Sequence, residues 1–447
     1  MSVIFRNVTR RPVAIGPSIT ILFVIIFTAP SSSAQLSFER EPIEYSKTPG
    51  SDPVALLRTK LENGEVSLHK DKQRGYLVSL LTELQIPVSS QTLVFSKTSL
   101  QRHLISPSNP RAIYFNDDTY VAWIPNGELI EIASTDSKLG SMFYTVDQTG
   151  EKQTATIVRR TERCLFCHAS SDTGRVPGLL MQSVYTNSDG DRVFPADSIP
   201  TDSKGSLRGR WAGWFVTGSH GNQRHLGNLM IDSKTAKTAG DTVDHANVMD
   251  LSRWFDVTKY LSRHSDLVAL LVLQHQVSIH NLLTDANHRA RAQLHFAAMA
   301  NREQGREDRF LSDEDLAYFD QIAEQVVDGL LMLGQVRLEE RVSGTSGFAE
   351  EFSNRGPHDS RGRSLRQLDL RSGLFQHPCS YLIYSESFDA IPQPVLSFVY
   401  QRLFDVLSSQ DTRDKYAKLS VANRSAILQI LRETKTNLPA NWKTALP

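Results

Sequence analysis

The residues that could do chemistry are concentrated in one pentapeptide, Cys164-Leu165-Phe166-Cys167-His168. Its C-x-x-C-H pattern is the attachment sequence for covalently bound haem. Two thiols at this spacing can each add to a vinyl group of haem, and the adjacent histidine can then bind the iron. Only three cysteines occur in 447 residues, and two of them lie in this motif. The pattern predicts one covalent haem c held by Cys164 and Cys167, with His168 as the proximal iron ligand.

Two other kinds of site are compatible with the motif alone. A zinc site would need two further Cys or His ligands, and the chain has no second C-x-x-C to supply them as a pair. A thiol-disulfide C-x-x-C normally follows the first strand of a βαβ unit, and no such unit is predicted before the motif. The third cysteine, Cys379, has no disulfide partner if the other two bind haem, and we expect it to be a buried small apolar residue.

The second axial position of the iron would decide between an electron carrier and a catalyst. Iron with two protein ligands exchanges electrons, whereas an open position can bind peroxide or another small ligand. His275 is a candidate distal ligand because it continues an apolar helical stripe, and a buried imidazole needs a partner. A backbone carbonyl or Asn281 would also satisfy it. His280 lies about 140° further round the same helix, so at most one of the two can face the iron. The other candidates are Met181, Met230, His220 and His225.

The amino terminus predicts export. Three arginines precede an apolar run at 19–29, and small residues at 32–34 provide a cleavage site. We expect a signal peptide at 1–34 and a periplasmic or other exported location in a Gram-negative-type bacterium. An uncleaved anchor is the alternative, but the apolar run is shorter than the ~20 residues that a spanning helix needs. We therefore expect no stable membrane span after cleavage. Covalent haem attachment in bacteria takes place outside the cytoplasmic membrane, so the two signals agree.

Composition is that of a globular protein with a large core. Hydrophobic residues make up 40% of the sequence and charged residues 22%, and we find no internal repeat. Basic and acidic residues balance at 49 each. Proteins that bind nucleic acid usually show a strong basic excess or stripe, so no nucleic-acid partner is expected. The expected partner is a redox protein, and the oligomeric state is not predicted.

The periodicity predicts an α+β protein, in which a small antiparallel sheet region carries the c-type haem motif and a mainly helical half follows. The predicted strands are 92–96, 111–115, 119–124, 128–133, 141–146, 153–159, 179–185, 191–194, 210–217 and 381–384. The predicted helices are 53–64, 71–85, 161–168, 265–300, 312–333, 394–407, 411–418 and 420–434. Because strands surround the motif in sequence, we expect the haem to lie against strands.

The same reading divides the chain into successive regions. They are a signal peptide at 1–34, an N-terminal α+β region at 35–150, a haem c attachment region at 151–240, a helical region at 241–342, a loop or linker at 343–364 and a C-terminal helical region at 365–447. The linker is predicted from its content of Gly, Ser and Arg.

Three parts of the sequence together carry a family resemblance. They are 163–168, the segment 210–228 that reads R-W-x-G-W-F-V-T-G-x-H-G and continues to R-H-L-G-N, and 275–281 with its H-Q and H-N pairs. This ensemble resembles an uncharacterised group of exported bacterial mono-haem c-type cytochromes, from about residue 50 to the end. The resemblance implies covalent haem and carries over no substrate.

Three functions are therefore open at this point. The leading expectation is electron transfer by an exported mono-haem c-type cytochrome with six-coordinate iron. One alternative is a haem-dependent enzyme of peroxidase or oxidase type, in which Arg224 beside His225 would polarise bound peroxide. The other is a haem-containing sensor or interaction module. Whether the protein is an enzyme is left undecided by the sequence, because site chemistry and not fold decides function.

Overall fold

A computed structural model of the chain describes residues 37–150, 155–193, 199–200, 207–231, 247–335 and 337–444. The signal peptide and cleavage site predicted at 1–34 lie outside the described residues. Ser37–Pro447 form a single compact unit.

A seven-stranded antiparallel sheet comes first along the chain. Its strands, in spatial order, are β6 (Ile157–Arg160), β5 (Gly140–Asp147), β4 (Leu129–Asp136), β3 (Thr119–Trp123), β2 (Arg111–Phe115), β1 (Thr92–Val94) and β9 (Trp214–Phe215). A separate pair joins β7 (Gln182–Ser183) to β8 (Ile199–Pro200). Neighbours in sequence pair as hairpins from β1 to β6, which is the arrangement that tight turns between short strands favour.

The remaining regular structure of the described residues is mainly helical. The helices are α1 (Pro53–Glu62), α2 (Leu77–Glu83), α3 (Glu162–His168), α4 (Leu267–Glu303), α5 (Asp313–Leu330), α6 (Phe348–Asn354), α7 (Glu386–Asp389), α8 (Gln393–Leu407), α9 (Val421–Thr434) and α10 (Ala440–Thr444). The predicted α+β class, with an antiparallel sheet followed by a mainly helical half, is confirmed.

The large sheet has two different faces, because side chains alternate along each strand. The inner face packs into a core shared with α1 and α2, and one row across it is Tyr114, Val121, Ile132, Tyr144 and Arg159. We call the opposite side the outer face. One row across it is Ile113, Ala122, Glu131, Thr145 and Val158.

The longest helix, α4, runs through the second core of the molecule. Among the described residues it is the one helix long and apolar enough to cross a membrane by length and composition, yet 83% of its most apolar window is buried in the protein. Burial on nearly every side is what the all-round apolar sequence predicted. The helix therefore has the character of a core helix, against which α5 packs.

Several predicted elements are corrected by the structure. The strand predicted at 210–217 is reduced to β9, because Trp211 has a positive φ of 68° and begins a turn closed by the Trp214 amide. The segment 381–384 is a 3-10 helix capped by Ser380, not a strand. The predicted linker at 343–364 contains α6, and the helix predicted at 411–418 is only a 3-10 turn. Tertiary contacts override weak local propensities at these places.

Asp266 links the start of α4 to the chain that follows α5. Its Oδ1 accepts hydrogen bonds from the amides of Val268 and Ala269, at 2.8 and 3.0 Å, while Oδ2 accepts from those of Thr345 and Ser346, at 2.6 and 2.8 Å. The carboxylate is fully buried. Asp266→Ala would deprive four backbone amides and the Ser346 hydroxyl of this acceptor, so we expect a loss of about 3 kcal/mol in the free energy of unfolding.

Urea unfolding followed by circular dichroism measures this loss. The matched control is Ser420→Ala, which removes an exposed cap whose hydroxyl accepts from the Asn423 amide at 3.2 Å. We expect about 1 kcal/mol for the control. Equal losses in the two variants would contradict a linking role for Asp266.

Candidate functional site

The C-x-x-C-H motif forms α3, which begins one residue after the edge strand β6 ends. Cys164 and Cys167 are three positions apart in this helix, so their side chains lie on neighbouring turns of one side. Cys164 is partly buried, whereas Cys167 is exposed. Phe166 between them is 87% exposed, an unusual position for a large apolar side chain. Both thiols are free in the structure.

The imidazole of His168 is held in one orientation and one tautomer. Its Nδ1 lies 3.0 Å from the Gly178 carbonyl oxygen. A carbonyl oxygen can only accept, so Nδ1 carries the proton and Nε2 keeps its lone pair. Within the described part of the chain, Nε2 has no hydrogen-bond partner. Burial lowers the pKa of His168, which favours the neutral ring. This is the state in which histidine binds a metal, with the second ring nitrogen anchored to a carbonyl.

The loop that supplies this carbonyl is itself fixed by the core. Asn281 of α4 holds Leu179 at both ends: its Oδ1 accepts from the Leu179 amide and its Nδ2 donates to the Leu179 carbonyl, each at 2.8 Å. On the other side, the amide of Ser141 in β5 donates to the Pro177 carbonyl at 2.9 Å. A Cβ on Gly178 would lie only 2.6 Å from Asn281 Oδ1, so this approach requires glycine.

The motif lies on the outer face of the sheet. The ring of Phe143 in β5 is 4.6 Å from that of His168, measured between centroids. Burial and the nearby carboxylate of Glu131 raise the pKa of the Cys164 thiol to about 11. Glu131 and Arg111 also act electrostatically on His168 and form an ion pair of 3.2 Å with each other. Cys164 and His168 therefore lie on the same surface of the sheet, close to the mostly buried Arg111–Glu131 ion pair.

His275 is placed elsewhere, among residues of the C-terminal half. Its Nε2 is 2.9 Å from Ser380 Oγ and its Nδ1 is 3.3 Å from Gln335 Nε2, while its ring contacts Phe375 and Tyr381. Burial lowers its pKa to about 3. Because both ring nitrogens already have partners, the structure does not support the predicted role of His275 as a distal ligand. The expectation that this residue is buried is correct.

His280 and the two methionines also occupy structural positions. His280 Nε2 donates to the Asp117 carbonyl at 2.7 Å, which leaves its proton-free nitrogen, Nδ1, buried. Met181 is 4% exposed in the core around α4. Met230 is partly buried against the core under the inner face of the sheet. These contacts do not bring any of the three to the His168 ring.

His220 and His225 form a pair of their own, with ring centroids 4.7 Å apart. The Asn247 amide donates to His220 Nε2 at 3.1 Å, and the Gly227 amide donates to His225 Nδ1 at 3.0 Å. The ring centroids of Trp211 and His225 are 5.5 Å apart. The histidine pair thus stabilises the turn that follows β9. Burial lowers the pKa of His220.

Four residues of this site were not singled out from the sequence: Gly178, Phe143, Arg111 and Glu131. Asn281 was named only as a possible partner for His275, whereas in the structure its side chain bonds to Leu179. Arg111 lies on β2 and Glu131 on β4, with β3 between them, so their ion pair had no local signal in the sequence. For the loop at Gly178 and the Asn281 side chain that holds it, the sequence offered only a Pro-Gly turn and an asparagine in an apolar helix.

Comparison of the chain with protein-family models, with curated proteins and with solved structures found no match. Within the described part of the chain, no group of three or more His, Cys, Asp or Glu side chains is arranged to hold a metal ion. Cys379 is fully buried, as expected, and burial raises its pKa to about 12.

Proposed function

We propose that this chain is a mono-haem c-type cytochrome that transfers electrons. Cys164 and Cys167 would hold one haem through two thioether bonds, and His168 Nε2 would bind the iron on its proximal side. The single observation that carries the proposal is the state of His168. Its Nδ1–H is anchored to the Gly178 carbonyl and its Nε2 is left without a hydrogen-bond partner in the described part of the chain. The bound haem would supply one-electron chemistry at the iron.

The surroundings of the motif fit this group better than the alternatives. A reactive C-x-x-C thiol needs a lowered pKa, whereas the pKa of Cys164 is raised to about 11. A structural zinc site needs four ligands, and the motif supplies three at most. A c-type haem needs only one protein ligand on the proximal side, together with thiols that are accessible to the vinyl groups. The exposed Cys167 meets the second condition.

Export is part of the same proposal. The signal peptide at 1–34 would deliver the unfolded chain to the periplasm, where haem is attached before the fold closes around the motif. A redox partner protein would approach from the side on which Phe166 is exposed. An exposed apolar residue beside a redox centre is a common feature of short-lived encounter surfaces.

A haem-dependent enzyme is the second candidate, favoured by one specific observation. The nitrogens of His275 and the N–H of His280 are used for hydrogen bonds elsewhere. An iron with only His168 as protein ligand would keep a position for peroxide or another small ligand. The exposed Arg224 belongs to the turn of His225.

One optical experiment separates these possibilities. The full chain with its signal is produced in a bacterial host that attaches haem c, and haem is assayed by its survival on a denaturing gel. We expect covalent haem and a reduced low-spin spectrum for an electron carrier. A high-spin spectrum that changes on addition of carbon monoxide would favour the enzyme instead. No covalent haem, in a host that matures a reference cytochrome, would contradict both.

A further inference from the structure

The loop 169–178 leads from the end of α3 back to the His168 ring. The two ends are joined twice: the Gly178 amide donates to the His168 carbonyl at 2.8 Å, and His168 Nδ1 donates to the Gly178 carbonyl at 3.0 Å. The second of these hydrogen bonds orients the imidazole. Its strength therefore depends on how firmly the loop holds the Gly178 carbonyl in place.

One polar side chain lies at the centre of this loop. Thr173 is 2% exposed, and its hydroxyl donates to the Val176 carbonyl at 2.9 Å. The carbonyls of Ser170 and His168 lie 3.1 and 3.4 Å from the same Oγ1. A hydroxyl has a single proton to donate, so we assign it to the shortest contact, that with Val176. Thr173 thus ties the outgoing half of the loop to the segment that returns to His168.

The turn between Thr173 and Val176 depends on such contacts. Gly174 and Arg175 both have a positive φ, of 73° and 63°, and Arg175 is not a glycine. A left-handed backbone costs a residue with a side chain about 1 kcal/mol. The Thr173 hydrogen bond helps to offset this cost, because it holds the residue that directly follows Arg175.

Two supports hold the Gly178 carbonyl, one from each side. From outside the loop, Asn281 bonds both backbone groups of Leu179, the next residue. From inside the loop, Thr173 packs against Gly178 itself, since a Cβ built on this glycine would lie 2.9 Å from Thr173 Cβ. The acceptor for the His168 ring is therefore positioned by Thr173 as well as by Asn281.

We propose that Thr173 is a positioning residue for the proximal ligand: it fixes the acceptor of the His168 Nδ1–H and thereby sets the reduction potential of the haem iron. This inference rests on the proposed function, because it needs a haem iron bound to His168. A strong bond from Nδ1–H makes the imidazole a better donor to a metal, and a better donor stabilises ferric over ferrous iron. Thr173 therefore keeps the potential low.

Thr173→Val tests this role, because valine has nearly the shape of threonine and lacks the hydroxyl. Weaker support of the Gly178 carbonyl weakens its bond to the His168 ring, so we expect the reduction potential to rise. The expected change is about tenfold in the redox equilibrium, or about 60 mV for one electron. Thr173→Ser keeps the hydroxyl and should retain most of the wild-type potential. Optical redox titration of the purified holoprotein measures these values.

The ring proton of His168 gives a second readout, independent of the potential. It is observed by NMR in the diamagnetic ferrous holoprotein, with carbon monoxide added if the iron is high-spin. In Thr173→Val we expect the Nδ1–H signal to move upfield and to exchange faster with water, because its hydrogen bond is weaker. If Thr173→Val does not fold, Thr173→Ala takes its place with the same expected shifts, since alanine puts no extra methyl group among the three carbonyls.

Thr119→Val is the matched control. Thr119 is fully buried on the inner face of the sheet, and its hydroxyl lies 3.2 Å from Ser134 Oγ. This variant should lose stability and keep the wild-type potential and ring-proton signal. Equal shifts in the Thr119 and Thr173 variants would overturn the proposal. So would a potential in Thr173→Ser as high as that in Thr173→Val, because the hydroxyl would then not be the cause.

Failure of this inference and failure of the proposed function give different results. If no covalent haem survives on a denaturing gel of the wild-type protein, the proposed function fails. If haem is present in full and the Thr173 variants keep the wild-type potential and ring-proton signal, only the positioning role of Thr173 fails.

Discussion

We expect replacement of both Cys164 and Cys167 by serine to abolish covalent attachment of the proposed haem, and this is the largest effect that we expect from any substitution. A serine hydroxyl does not add to a vinyl group under conditions in which a thiol does, so each cysteine accounts for one thioether bond. Each single variant should retain haem through its remaining bond at reduced yield. The measurement is the mass of the denatured protein together with haem staining on a gel.

Cys379→Ala is the matched control for these variants. Its thiol is fully buried, outside the motif and at the carboxy-terminal side of the fold. We expect full covalent haem, with a loss of about 1 kcal/mol in the free energy of unfolding because a small cavity is created. Haem loss in the Cys379 variant equal to that in the double variant would show that the assay reports folding and not attachment.

We expect Asn281→Leu to change the electronic state of the proposed haem iron, although Asn281 would act on it only through His168. The side chain fixes Leu179 with two hydrogen bonds of 2.8 Å and thereby the adjacent Gly178 carbonyl, which accepts the Nδ1–H of His168. A weaker Nδ1–H bond makes the imidazole a poorer donor to iron, and such outer partners are typically worth about tenfold in ligand strength. We expect the reduction potential to rise by about 60 mV.

Asn287→Leu tests whether this effect is specific. Asn287 is another asparagine of α4, fully buried, and its amide donates to the Ala390 carbonyl at 2.8 Å, away from the motif. It should reduce stability without a change in potential. Asn281→Asp serves as a milder second variant, because it keeps the acceptor for the Leu179 amide. If the potentials of the Asn281 and Asn287 variants are equal, Asn281 has no positioning role.

The local part of the fold could be predicted because short-range patterns determine it. Strands 111–115, 119–124 and 141–146 were found within two residues of β2, β3 and β5, since each is a short β-rich run bounded by turn-forming residues. The helices that became α4, α8 and α9 were found in the same way. The predicted strands at 210–217 and 381–384 were wrong or too long, because a positive φ at Trp211 and a cap from Ser380 have no signal in apolar periodicity.

In the candidate site, too, the sequence predicted the local features and missed the long-range ones. The identity and spacing of Cys164, Cys167 and His168 are a local pattern, and that pattern alone predicts thiol and imidazole on one short helix. The carbonyl that accepts from the imidazole is held in place by residues that are distant in the sequence. Gly178 lies 10 positions from His168, and the asparagine that fixes the loop lies 102 positions from Leu179.

By itself the sequence determined the chemistry of the motif, because covalent spacing and residue type depend on neighbours a few positions away. It also determined the order of sheet and helices, through periods of two and 3.6 residues. Only the tertiary structure decided which nitrogen of His168 is left without a partner, that His275 is bonded to Ser380 and Gln335, and that the motif lies on the outer face of the sheet. The physical reason is that a buried polar group takes its partner from whatever the packing brings within about 3 Å, and that choice involves residues far apart in the chain.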